Sequence, residues 1–165
     1  MDYLSRLGKP DVASENELLR NAPQLGWEDR ARLAEVLARR KALKAARGLL
    51  EPTWSTVRVE GRRAVMPDEA LPRFHYFYSR VRPTARLLTA TLAVDSSNAL
   101  IGPLVETLVQ QGKAGLLDDW NTQDYAAVVS GLVAFDRHVR AGAPREIRSP
   151  AQTASCSDTR PVARW

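Results

Sequence analysis

A chain of 165 residues, 44% hydrophobic and 26% charged, is long enough to bury one core and has ordinary globular composition, which excludes a collagenous, low-complexity or wholly disordered protein. The formal net charge is +5, but the basic residues are interspersed with Glu and Asp, a pattern that argues against a nucleic-acid surface. A lone cysteine, Cys156, excludes an internal disulfide, no apolar run approaches the ~20 residues that span a bilayer, and the start of the chain lacks the basic-then-apolar pattern of a signal peptide.

Residues 1–26 are punctuated by Gly8, Pro10, Pro23 and Gly26. A short helix fits Ser14–Asn21, with Ser14 as cap and Glu17 as its box partner three residues on. Glu28–Arg40 reads as a stronger helix, with Ala31, Ala34 and Ala38 on one stripe and Leu33, Val36 and Leu37 widening it. Lys41–Leu50 continues with Leu43, Ala46, Leu49 and Leu50, and Pro52 is expected to stop it. The two segments form an antiparallel pair or one long bent helix. The period then falls to two. Val57 and Val59 alternate with Arg58 and Glu60, and Arg62–Val65 can return across Glu60-Gly61, a β-hairpin signal.

Pro67 and Pro72 bound a linker, and the aromatic run Phe74, His75, Tyr76, Phe77, Tyr78 reads as a buried extended segment. Pro83 suits a first helical position, and Thr84–Val94 repeats Ala85, Leu88 and Leu92 at helical spacing with Leu87 and Thr91 beside them. Asp95-Ser96-Ser97-Asn98 is a turn. Ile101–Gln111 is a helix facing inward through Leu104, Val105, Leu108 and Val109, with Gly112 at its end and Lys113–Trp120 as a loop. Thr122–Arg140 is the last helix, apolar at Tyr125, Val128, Val129, Leu132, Val133 and Phe135, and Gly142 and Pro144 end it. Residues 149–165 are polar and expected to be disordered. Helical pairs this thin must stack to bury a core, either as an open solenoid or as a closed ring of inner and outer helices.

Reactive constellations are scarce. His75 and His138 are far apart and no cysteine pair accompanies them, so no zinc site is expected. Gly112-Lys113-Ala114-Gly115 ends a helix instead of opening one, unlike a phosphate loop, and no Gly-x-Ser-x-Gly elbow is present. Asp118-Asp119 reads as a solvated turn, His75 as a satisfied histidine, Arg39, Arg40, Lys41, Lys44 and Arg47 as a solvated basic face, and Cys156 as an exposed thiol between Ser155 and Ser157. No catalytic residue, cofactor or metal is expected.

The most informative stretch is Trp120-Asn121-Thr122-Gln123-Asp124-Tyr125-Ala126. Trp120 precedes the helix, Asn121 or Thr122 can cap it, Gln123 can reach back to the neighbouring turn, and Ala126 permits another helix to approach. The stretch resembles the Trp-x-Thr-Gln-Asp-x-Ala segment of the helical ring domain in bacterial α2-macroglobulins, where it opens one of the last inner helices. Arg80–Val94, ending in Leu92-Ala93-Val94-Asp95, is similar to the helix after that family's aromatic segment. Ile101–Gly112 resembles its next helix, and Trp27–Leu50 an earlier turn of the ring. The family's thioester motif, Cys-x-Glu-Gln, is missing, since Cys156 is followed by Ser157, Asp158 and Thr159.

The resemblance implies a mainly α fold: a partial α/α toroid of stacked helical hairpins over residues 1–148 with one β-hairpin, followed by a tail outside the family pattern at 149–165. It implies a non-catalytic fragment of an α2-macroglobulin-like endopeptidase inhibitor. The periplasmic parent would meet proteases and the other domains of its own chain, with no nucleic-acid partner and no membrane span in this piece. Two other readings stand beside it. One is a stand-alone tetratricopeptide-like adaptor. The other is an α/α-toroid enzyme, such as a terpene cyclase or glycan-active enzyme, using Asp118, Asp119 or Asp124.

Overall fold

The computed structural model describes residues 2–66, 79, 81–115 and 121–142. Among these the fold is mainly helical: α1 Asp2–Arg6, α2 Val12–Arg20, a 3-10 turn at Ala22–Gln24, α3 Trp27–Arg39, α4 Leu43–Thr56, the strands β1 Arg58–Glu60 and β2 Arg63–Val65, α5 Arg82–Val94, α6 Ile101–Gly115 and α7 Thr122–Gly142. The expected linker with Pro67 and Pro72, the aromatic run with His75, the Asp118-Asp119 pair, Trp120, Cys156 and the tail 149–165 lie outside the described residues.

The first helix of the sequence reading is shifted. Asp11, not Ser14, caps α2: its carboxylate accepts from the Ser14 amide (3.1 Å) and the Ser14 hydroxyl (2.7 Å). Ser14 becomes the donor because a charged oxygen three residues upstream is the stronger acceptor. Glu17 takes no part in the cap. Its neighbour Glu15 is fully buried and lies 3.1 Å from the Arg40 guanidinium.

Helix α3 follows its sequence pattern, and Ala31, Leu33, Ala34, Val36, Leu37 and Ala38 are all buried. It ends in a Schellman motif. The Ala42 amide donates to the Leu37 carbonyl (3.0 Å) and the Lys41 amide to the Ala38 carbonyl (2.9 Å), with Lys41 at φ 65°. This turn separates α3 from α4 as a pair and excludes a single bent helix. Pro52 does not stop α4, which runs four residues beyond it. Pro52 sits on the exposed side, where the lost amide bond faces water, while Thr53 and Trp54 turn inward and are buried. The Trp54 indole donates to the Thr91 hydroxyl (2.9 Å, buried), which anchors the last turn to α5. Leu43, expected inside, is 46% exposed.

The hairpin forms as expected, with Arg58 opposite Val65, Val59 opposite Ala64 and Glu60 opposite Arg63. Gly61 takes φ +62° as the first of two turn residues, the position at which a type II′ turn requires glycine. Its outer edge is satisfied by one side chain. The Thr107 hydroxyl of α6 accepts from the Ala64 amide (2.8 Å) and lies 2.8 Å from the Ala64 carbonyl. A two-stranded ribbon is marginal by itself, so this docking onto α6 is what holds it.

Helix α5 is the centre of the core. Thr84, Ala85, Leu87, Leu88, Ala90 and Thr91 are buried on several sides at once, against α3, α4, α6 and α7. Helix α6 runs through Gly112 and Lys113 to Gly115 instead of ending at Gln111. The inward face of α7 is Asp124, Ala127, Val128 and Gly131, so Tyr125, Val129 and Val133, expected inside, lie outside at 40, 59 and 41% exposure. The reason is closeness. A Cβ on Gly131 would sit 3.4 Å from the Ala85 carbonyl oxygen, and Ala127, Val128 and Gly131, not Val129 or Val133, form the buried side.

Candidate functional site

Helix directions follow from side-chain pairs. Glu28 lies 4.0 Å from Arg82, and Glu35, seven residues on, accepts from Thr89, seven residues beyond Arg82, at 2.6 Å. Equal steps in the same sense make α3 and α5 parallel. Asp124 lies 3.4 Å from Arg82, and Gly131 packs on Ala85 further along both helices, so α7 is parallel to α5 as well. Arg47 meets Asp95 (2.6 Å) while Trp54 meets Thr91, so α4 runs the other way. The helices α3, α5 and α7 therefore lie side by side with their first turns together, and α4 and α6 are the returning segments.

This shared end is the candidate site. Arg82 opens α5, where a cation opposes the positive end of the helix dipole. It is placed there between two acids, Glu28 of α3 and Asp124 of α7, each in a first turn, where the dipole favours negative charge. Asp124 is only 6% exposed, and its 3.4 Å approach to the Arg82 Nε is an ion pair without hydrogen-bond geometry. Glu28 also pairs with Arg32 at 2.6 Å. Ser79 completes the end of α5 by accepting from the Val81 (3.2 Å) and Arg82 (3.0 Å) amides.

The Asn121–Ala126 stretch resolves into a capping box. The Asn121 carboxamide oxygen accepts from the Gln123 (2.8 Å) and Asp124 (3.1 Å) amides, and Asp124 accepts from the Asn121 amide at 3.3 Å. Of the two expected caps Asn121 is the one used, and Asp124, at the third helical position, reaches back to its amide, while the turn that Gln123 was expected to meet lies outside the described residues. Thr122, Gln123 and Ala126 are exposed. Ala126 does not meet α5; Gly131 does. No joining role was read from the sequence for Arg82, the residue set between acids of the two neighbouring helices. A cation at a helix start was the one available signal.

The chemistry of this arrangement is structural. Arginine exchanges no proton at ordinary pH, and it occupies the space between the two carboxylates. Three residues of the basic face are likewise paired: Arg39 with Glu35 (3.4 Å), Arg40 with Glu15 (3.1 Å) and Arg47 with Asp95 (2.6 Å). At Asp95 burial pulls the pKa upward, but the Ser97 hydroxyl and the Arg47 charge outweigh it and leave the carboxyl below the ordinary aspartate value. Among the described residues no group of three His, Cys, Asp or Glu could hold a metal ion, and no helix is long and apolar enough to cross a membrane. No family model, curated protein or solved structure matches the chain.

Proposed function

We propose that this chain is a non-catalytic structural and interaction portion of an α2-macroglobulin-like endopeptidase inhibitor, drawn from its helical ring domain. The observation that carries the reading is the segment Trp120–Ala126, whose part from Asn121 onward caps and opens α7. Two further features support it. Parallel helices α3, α5 and α7, joined by returning α4 and α6, are the alternation that a two-layered ring or superhelix is built from. Arg82, set between acids of two neighbouring helices, is suited to fixing helices against one another. In this reading the parent is periplasmic, its partners are attacking proteases and its own other domains, and the reactive parts lie in those other domains.

A helical-repeat adaptor is the second reading, and the exposed outer side of α7 favours it. The hairpin between α4 and α5 breaks the simple helix-pair period such adaptors follow.

Sequencing the reading frame upstream of Met1 tests the proposal. A continuous frame encoding repeated β-domains, with a Cys-x-Glu-Gln or a thioester-free equivalent, is expected. A stop codon followed by a ribosome-binding site directly before Met1 would contradict it and favour the adaptor.

A further inference from the structure

The β1–β2 ribbon has two edges, and only one of them is filled. On the β2 edge the Thr107 hydroxyl meets both the amide and the carbonyl of Ala64. Ala64 therefore turns its backbone groups out of the ribbon. Val59 stands opposite Ala64, and both members of such a non-hydrogen-bonded pair point outward, so Val59 does the same on the β1 edge. Among the described residues nothing outside the ribbon bonds to the Val59 backbone. Arg58, Val59 and Glu60 are all exposed, Val59 at 52%. Among the described residues no ion pair engages Arg58 or Glu60, although Arg63 stands across from Glu60. We propose that β1 is a self-association edge, on which β1 of a second copy pairs antiparallel about a twofold axis at Val59.

Three observations select that occupant. The axis uses both open backbone groups, because each copy's Val59 amide then donates to the other's Val59 carbonyl. The charges of Arg58-Val59-Glu60 are self-complementary in this direction. Arg58 of each copy stands opposite Glu60 of the other, in a non-hydrogen-bonded pair, where side chains come closest. Each Glu60 then lies between two cations, Arg58 of the other copy and Arg63 of its own ribbon. Parallel pairing would instead set like charges side by side. Lastly, a lone two-stranded ribbon is marginal, and joining two of them makes a sheet of four strands. The outer edges of that sheet are the β2 edges, already filled by Thr107, so the contact closes as a dimer and cannot grow into a filament. The inference stands apart from the proposed function.

Sedimentation equilibrium of the full chain at low salt tests it. Two three-residue strands make a small interface, so the dimer should be weak. The mass should rise from the monomer's 18.3 kDa toward twice that value between about 20 µM and about 1 mM. Arg58→Glu and Glu60→Lys should each stay monomeric throughout while keeping the wild-type circular-dichroism spectrum, since both sites face water. Mixed in equal amounts, the two variants should form a heterodimer, because one strand then carries two acids and the other two bases. As a second measurement, Val59→Pro, which deletes an amide that the ribbon itself does not use, should also stay monomeric. A wild-type chain that is monomeric over the whole range, a dimer that survives any of the three substitutions, growth beyond the dimer, or a mixture that fails to associate would each overturn the proposal.

Discussion

Single residues set the turns of this molecule, and two of them carry direct tests. Lys41 occupies the left-handed position of the Schellman motif that ends α3, a conformation in which a side chain costs about 1 kcal/mol relative to glycine. Lys41→Gly should therefore stabilise the fold by roughly 0.5–1 kcal/mol in chemical denaturation; a loss of stability would show that the lysine side chain does more than endure the turn. Asp95 tests the electrostatics. Its carboxyl lies below the ordinary value of 3.8 when folded, so its contribution is complete above pH 3.8 and is lost as pH falls through the folded value. Asp95→Asn should lower the melting temperature at neutral pH, and the gap from wild type should narrow as pH drops below 3.8. A gap that stayed constant with pH would place the effect in the turn's hydrogen bonds instead of its charge.

At the scale of elements, the sequence was most legible where one amphipathic face met one core. Helix α3 is such a case, with all six expected apolar residues buried. Reading failed where a distant contact outweighed a local rule. Pro52 is a helix stop by local chemistry, yet the burial of Thr53 and Trp54 carries α4 past it. Trp54→Phe should cost roughly 1–3 kcal/mol by leaving the buried Thr91 hydroxyl without its donor; a neutral result would mean that apolar packing alone holds the last turn. The face of α7 was read in part: Val128, Leu132 and Phe135 pack on the core as expected, while Tyr125, Val129 and Val133 do not, because close helix approach rewards Ala127 and Gly131. In the candidate site Asn121 was legible as one of two possible caps, but Asp124 as its partner was not. Nor was the tie of Asp124 to Arg82, since it joins residues 42 positions apart across two helices.

That tie belongs to the molecule as a whole. Arg82→Ala would strand the buried Asp124 charge and should destabilise by about 3 kcal/mol, whereas Arg32→Ala, at a half-exposed pair with Glu28, should cost less than about 1 kcal/mol. Equal effects in thermal unfolding would remove Arg82 as the junction of the layer. Helices α3, α5 and α7 run parallel with their starts together and α5 between the others. Pulsed electron-spin distance measurement tests this arrangement most directly, with labels on cysteines replacing Asp29 and Gln123, or Arg39 and Gln123, in a Cys156→Ser background. With α3 and α7 one helix apart, roughly 16–20 Å between axes, and α3 about 20 Å long, the parallel layer predicts a clearly shorter distance for the Asp29–Gln123 pair than for the Arg39–Gln123 pair. A start of α7 that lies nearer to Arg39 than to Asp29 would contradict it.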